Sequence, residues 1–273
     1  MTLSWVKHEL NRLGIPPLKH FGQHFLIDKS VSNAMVAAAQ LSIDDRLLEV
    51  GPGLGFLTKE LVKHAGQVVA VEKDRTLASY LTDYFSKVQN LRIVQGDALT
   101  VGKLGCTKIV SSPPYNISSK LVLFIVKNRF ELAVLLLQHE FVQRLIAKSG
   151  SREYGRITVM LQAVARTETI GKVPRSAFYP SPKVDSALVT IKPRTDPLQI
   201  RDPSLFEDLV RSLFSQRRRK VKTVLTKYLE SRNSHRFSSM LLQLDVPEKR
   251  VFQMTPTELV DLSNQIAYTL EEE

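Results

Sequence analysis

A single cysteine, Cys106, stands in 273 residues. An intramolecular disulfide is therefore impossible, and a thiolate-rich metal site is excluded. A reducing compartment suits such a chain. Long apolar runs are missing as well. The most apolar stretch, Leu132 to Leu137, is far too short to span a bilayer. The first residues, Trp5, Lys7, His8, Glu9 and Arg12 among them, lack the apolar core of a signal peptide. A soluble cytoplasmic protein is the expectation. Acidic residues are also in short supply: 27 Asp and Glu face 38 Lys and Arg, leaving a formal charge of +11. Such an excess favours a polyanionic partner, because phosphates attract the protein and release counterions on binding. Charge alone does not separate nucleic acid from another anionic surface. His20, His64, His139 and His235 show no ligand spacing, and no metal is expected.

Short apolar runs read as buried strands at Leu47 to Val50, Val68 to Val71, Leu91 to Val94, Lys108 to Ser111 and Ala133 to Leu137. Helical patterns lie between them, over Leu57 to His64 and Thr76 to Val88. This alternation predicts an α/β fold with a parallel sheet covered on both faces. A last strand, Ser186 to Lys192, follows a Pro-rich loop and is rich in β-branched residues. Beyond Pro193 and the Asp202-Pro203-Ser204 segment the pattern is helical, with helix starts near Ser204 and Thr257. The reading is an α/β domain over residues 1–198 and a small all-helical domain over 199–273.

The first strand runs into Glu49-Val-Gly51-Pro-Gly53-Leu-Gly55. Glycines at a strand-to-helix turn tolerate positive φ and let a ligand approach the backbone. Glu72 closes the second strand about twenty residues on, where a carboxylate can accept from both ribose hydroxyls of a nucleoside. Asp97 follows the third strand, where it can accept from an adenine amino group. Each element alone is often only a tight turn or a solvated strand end. Together on consecutive strand ends they converge on one crevice, and a nucleoside cofactor accounts for them. NAD competes, but the G-x-G-x-G spacing disfavours it.

After the fourth strand comes Ser111-Ser112-Pro113-Pro114-Tyr115-Asn116. In isolation this is a proline-rich turn. It also has the form of the [Asp/Asn/Ser]-Pro-Pro-[aromatic] signature of enzymes that methylate exocyclic amino groups of nucleobases. The chemistry explains the composition. An adenine amino lone pair is delocalised into the ring, and acceptors on its hydrogens stabilise the cation that forms as a methyl arrives. The Ser112 hydroxyl and Pro113 carbonyl are the natural acceptors. Pro113 and Pro114 stiffen the loop, and Tyr115 offers a π-face to an unpaired base. The methyl comes from a sulfonium, so neither a metal nor a general base is required.

On these residues the chain resembles the KsgA family of rRNA adenine dimethyltransferases. Gly22-Gln23-His24-Phe25-Leu26 is similar to the family's G-Q-N/H-F-L segment, over the methionine end of S-adenosylmethionine. Leu137-Gln-His-Glu140 through Lys148, and Glu153-Tyr-Gly-Arg156, also match. So do Phe178-Tyr-Pro180-Ser-Pro182-Lys183-Val184-Asp185-Ser186 and Phe214-Ser-Gln-Arg217. The resemblance covers roughly residues 19–265. It implies a class I methyltransferase fold, seven strands with the last antiparallel, and a small helical C-terminal domain. It implies that Gln23, His24, Leu26, Gly51, Gly53, Glu72, Lys73, Asp97, Ala98 and Ser112 hold S-adenosylmethionine. Phe178 is implied to stack on the target adenine opposite Tyr115. Two methyls on each of two adjacent adenosines near the 3′ end of small-subunit rRNA are the implied product, linked to late subunit assembly. Two departures stand out: Ser112-Pro113-Pro114-Tyr115 replaces the usual Asn-Leu-Pro-Tyr, and residue 24 is His where Asn is commoner.

Arg217, Arg218, Arg219, Lys220 and Lys222 form the densest positive run, five basic residues in six. A solvated helix face is the ordinary explanation of a charge run. RNA phosphate contact is preferred here, with Arg144, Lys148 and Arg156 extending the surface. A small ribosomal subunit precursor is the expected partner, and a monomer the expected state. A resistance-type enzyme acting on large-subunit rRNA and a non-catalytic assembly paralogue are the alternatives.

Overall fold

The computed structural model describes residues 2–15, 24–102, 104–128, 130–231, 241 and 244–271. The chain forms two compact units, one of Met1–Val142 with Thr167–Pro193, the other of Gln143–Arg166 with Arg194–Glu273. The sequence reading divides the chain once, between 198 and 199, whereas the second unit here begins at Arg194 and also takes in Gln143–Arg166.

The first unit opens with helix α1 (Leu3–Arg12), the short strand β1 (Phe25–Leu26) and α2 (Lys29–Ala39). There follow β2 (Arg46–Val50), α3 (Thr58–Leu61), β3 (Gln67–Glu72), α4 (Arg75–Tyr84), β4 (Leu91–Gln95), α5 (Ala98–Val101) and β5 (Lys108–Ser111). Next are α6 (Ser118–Asn128), β6 (Leu132–Gln138), α7 (His139–Leu145), which runs into the second unit, α8 (Arg156–Gln162), which belongs to the second unit, and then β7 (Ala165–Val173), β8 (Phe178–Tyr179) and β9 (Ser186–Pro193). The seven-stranded sheet has the order β4-β3-β2-β5-β6-β9-β7. Strands β2 to β6 pair in parallel, and β9 runs antiparallel to β6. The expected mixed sheet is present.

β6 reads as a nearly unbroken apolar run, and β9 is buried from Ser186 to Ile191, because both faces of the sheet are covered. On one face, Met35 and Ala39 of α2 pack with Leu47, Val110, Val134 and Leu136. On the other, Leu77, Tyr80 and Leu81 of α4 meet Phe85, Leu54, Phe25 and the Val6 and Leu10 side chains of α1. Aspartates set the helix starts: Asp28 caps α2 and Asp74 caps α4, each accepting backbone N–H groups of the first turn.

Three sequence expectations are revised. The helix expected over Leu57 to His64 is only one turn, because Lys63 and His64 donate to carbonyls three residues back. Gly66 then packs so closely that a Cβ would lie 1.8 Å from the Ile43 carbonyl oxygen. The helix expected to reach Val88 ends at Tyr84. Strand β7 carried no signal, since as an edge strand its interior residues are mostly exposed and its burial does not alternate.

In the second unit, α9 (Pro203–Ser215) starts under an Asp202 cap with proline in its first turn. It buries Leu205, Leu209 and Leu213 on one face. These belong with α10 (Val221–Ser231) and α11 (Pro256–Glu271). Thr255 and Glu258 cap α11 reciprocally, each accepting from the other's backbone N–H. Among the described residues no helix is long and apolar enough to cross a membrane.

Candidate active site

The parallel strands β2, β3, β4 and β5 deliver their carboxyl ends to one edge of the sheet. The chain leaves β2 for β3 and β4 on one side, then returns to β5 on the other. The crevice between β2 and β5 is thus the switch point where α/β sheets bind ligands. Gly51, Gly53 and Gly55 all have positive φ there, at 69°, 60° and 77°. A Cβ on Gly51 would lie 3.1 Å from Pro114, and one on Gly53 would lie 3.0 Å from the Phe25 ring. The glycines therefore let the β2 loop, the proline loop and β1 close on one another.

A cavity lies at this point, with His24, Leu26, Gly51, Gly53, Glu72, Ser112 and Pro114 in its wall. The sequence reading also placed Lys73, Asp97 and Ala98 here, but they stand beside the cavity, outside its lining. Asp97 Oδ1 caps α5 through the Leu99 N–H at 3.0 Å, and Oδ2 meets Lys73 Nζ at 3.0 Å. The Leu99 amide and then Lys73 hold the Asp97 carboxyl below its ordinary range. Gln23 lies outside the described residues.

Glu72 is buried, and its carboxylate accepts from the Gly53 N–H at 3.1 Å and the Asp74 N–H at 2.9 Å. Burial pushes its pKa up, against the pull of those amides. Glu49, which the sequence reading left without a role, also lines the cavity. It is 1% exposed and accepts from the Thr58 hydroxyl at 2.7 Å. Burial, reinforced by the Glu72 charge, pushes it up to about 8. Its only sequence signal was its place just before the glycines. Two buried carboxylates facing one cavity suit a cationic ligand, because a positive charge offsets the desolvation that each suffers. A hydroxyl-binding carboxylate, an open glycine loop and an anionic wall fit the nucleoside and sulfonium parts of S-adenosylmethionine.

The proline loop forms the next wall. Ser111 donates to the Val50 carbonyl at 2.6 Å, tying β5 to β2 below the loop. Ser112 is half-buried and Pro113 buried, and a 3-10 turn begins at Tyr115. The Tyr115 hydroxyl and Ser186 Oγ lie 2.6 Å apart, and burial pushes the phenol up. The antiparallel pair β1 and β8 sets Phe25 opposite Tyr179 and Leu26 opposite Phe178. His24 Nδ1–H donates to the Pro180 carbonyl oxygen at 2.6 Å. Tyr115 stands 5.3 Å from the His24 ring and 6.4 Å, edge-on, from Phe178. Phe178 is 3% exposed. Segments some 150 residues apart thus meet on a two-residue strand pair.

Arg217 to Lys220 lie on the turn between α9 and α10, and Lys222 lies in the first turn of α10. Arg217 is half-buried, donating to the Ser151 carbonyl at 3.1 Å with its guanidinium over the Phe252 ring. Arg218, Arg219, Lys220 and Lys222 are exposed, with Lys220 paired to the exposed Glu248. Arg156 pairs with Glu207 at 3.0 Å, while Arg144 and Lys148 are exposed. Among the described residues no group of three potential metal ligands occurs.

Fold and site together define a class I methyltransferase that uses S-adenosylmethionine. The chain belongs to the ribosomal RNA adenine dimethylase family, whose profile matches residues 18–267. It is an rRNA adenine methyltransferase. It is 39% identical over 248 residues to the probable ribosomal RNA small subunit methyltransferase A of Methanosarcina acetivorans, covering 90% of this chain and 92% of that protein. The protein of that name in Pyrococcus abyssi is 40% identical over 260 residues, 94% of each chain. Among solved structures, a dimethyladenosine transferase from Plasmodium falciparum superposes with a TM-score of 0.77 at 26% identity, covering 90% of this chain and 98% of that one. The 23S rRNA methyltransferase ErmE gives 0.64 at 29% identity, covering 89% and 99%.

Proposed function

We propose that the protein dimethylates the exocyclic N6 of two adjacent adenosines near the 3′ end of small-subunit rRNA. The substrate would be a late small-subunit precursor in the cytoplasm. The observation that carries the chemistry is that Glu72, Ser112 and Pro114 line one cavity. The choice of subunit rests on relatives named for the small subunit at 39% and 40% identity.

When bound, S-adenosylmethionine supplies a methyl group already activated on a sulfonium. Glu72 would hold the ribose hydroxyls, and His24, Leu26, Gly51, Gly53 and Ser112 the rest of the cofactor, with Lys73, Asp97 and Ala98 along its rim. Glu49 and Glu72 favour its positive charge. The Ser112 hydroxyl and Pro113 carbonyl accept from the target amino group, drawing its lone pair out of the ring. The methylated nitrogen is strongly acidic and gives up its proton without a dedicated base. Tyr115, pinned through Ser186, stacks on the base, and Phe178 supports that ring edge-on from the buried side. Residues 1–198 would carry this chemistry. Residues 199–273 would position the RNA, with Arg218, Arg219, Lys220 and Lys222 on phosphates and Arg217 holding the turn.

Incubation with labelled S-adenosylmethionine and unmodified small subunits, read by primer extension, tests the proposal. Stops at two adjacent adenosines near the 3′ end are expected. Stops confined to large-subunit RNA would overturn it in favour of the resistance-type reading.

A further inference from the structure

The cavity at the switch point measures about 60 Å³. Pockets that enclose ligands of S-adenosylmethionine's size are on the order of 300–1,000 Å³. Some wall must therefore move to admit the cofactor. Gly53, Glu72 and Leu77 belong to the sheet edge and to α4, and are fixed by the core. Trp5 and Val6, from α1, also line it.

Several features make α1 the movable wall. The described hydrogen bonds of residues 2–15 close within that segment, as in the Thr2 cap on Trp5 N–H and the Glu9–Arg12 pair. What holds the helix down is apolar: Val6 and Leu10, each 1% exposed, against Tyr80, Leu81 and Phe85. Ring contacts at its rim add little, with Trp5 edge-on to Tyr84 and Lys7 over Tyr179. Docking also has a cost. Tyr80 Oη is buried beside Glu9 and Arg12 with no hydrogen-bond partner among the described residues, and undocking would return it to water.

We propose that α1 is a gate over the nucleoside end of the cofactor cavity, and that Trp5 forms its outer wall against the bound nucleoside. The proposal rests on the reading of this cavity as the cofactor site. Because Lys7 touches Tyr179 of β8, the gate also borders the segment that carries Phe178.

Trp5 is the chain's single tryptophan, so its emission reports on the gate directly. Stopped-flow mixing with S-adenosylhomocysteine is the test. A rate that saturates with ligand concentration is expected, the plateau being the opening rate. Leu10→Ala should raise that plateau at least ~10-fold, since Leu10 anchors α1 without lining the cavity. Hydrogen exchange of the unmodified protein provides a second readout. The α1 amides should exchange quickly without ligand and become protected with it. A rate linear in ligand and unchanged in Leu10→Ala, or α1 amides equally protected in both states, would overturn the gate. No calorimetric binding of S-adenosylhomocysteine would instead overturn the cavity reading, and the gate with it.

Discussion

Glu49 ties cofactor binding to pH in a way that follows from its surroundings. Burial beside Glu72 raises it to about 8. At pH 7 it is then roughly 0.9 protonated, and ionising it costs about 1.4 kcal/mol. A sulfonium and ammonium brought to the cavity favour the carboxylate and return its pKa toward the ordinary range. Binding at pH 7 should therefore release about 0.9 proton, and affinity should rise roughly tenfold between pH 7 and pH 9 as that cost vanishes. Titration calorimetry with S-adenosylhomocysteine in phosphate and in Tris measures the released proton from the buffer dependence of the enthalpy. S-Adenosylhomocysteine keeps the ammonium, so it probes the same carboxylate. Glu49→Gln retains the Thr58 hydrogen bond and should abolish most of the dependence. A buffer-independent enthalpy in the unaltered protein, or an equal slope in Glu49→Gln, would refute the reasoning. Stability runs the opposite way, falling as pH rises. The folded pKa lies above the unfolded one, so Glu49's contribution is full below about pH 4.5 and is lost as pH rises through about 8. Glu49→Gln should flatten that loss in thermal melts.

Glu72→Ala should weaken cofactor binding at least ~100-fold by removing the ribose acceptor, as two charge-assisted hydrogen bonds are worth about 3 kcal/mol or more; calorimetry at pH 8 checks this. Phe178→Ala should behave differently, because the ring is 3% exposed and packed in the core. Its loss should cost about 3–5 kcal/mol and lower Tm by on the order of 10 °C, as seen by calorimetric melting. Gly55→Ala places a Cβ 2.6 Å from Phe85 at a φ of 77°, and should destabilise by about 2–4 kcal/mol while distorting the cofactor loop. Replacing Arg218, Arg219 and Lys222 with alanine should reduce the slope of log affinity against log salt for rRNA by about 2–3, at nearly unchanged Tm. Arg217→Ala should instead lower Tm, since that side chain joins Ser151 to Phe252.

Ser112 shows how a departure from the usual motif is absorbed. Asn offers an amide oxygen, and serine a shorter hydroxyl. In this structure the loop bearing it is anchored from below by Ser111 on Val50 and from the side by Tyr115 on Ser186. With those two anchors, the loop's geometry does not depend on the residue at 112 alone.

Local chemistry made much of this protein legible from sequence. The runs of β2, β3, β5 and β6 are apolar because both sheet faces are covered, and periodicity records that burial directly. Glycine spacing disclosed the β2 turn because only glycine adopts its φ values cheaply, and Glu72 followed from its place at a strand end. The proline loop stood out because two consecutive prolines next to a strand end mark a fixed turn. What depended on distant segments was not readable. β1 and β8 are two residues each, too short for any period, yet they join His24 to Pro180 and set Phe178 beneath Tyr115. Burial raised Glu49 and turned Phe178 inward, and neither residue type nor spacing encodes burial. Arg217 and its neighbours look alike in sequence, and only packing divides the one that holds a turn from those left exposed. Sequence determined which groups the protein has and where the backbone must turn; tertiary structure decided which of them share a wall, because solvent exclusion and pairing arise only when remote segments meet.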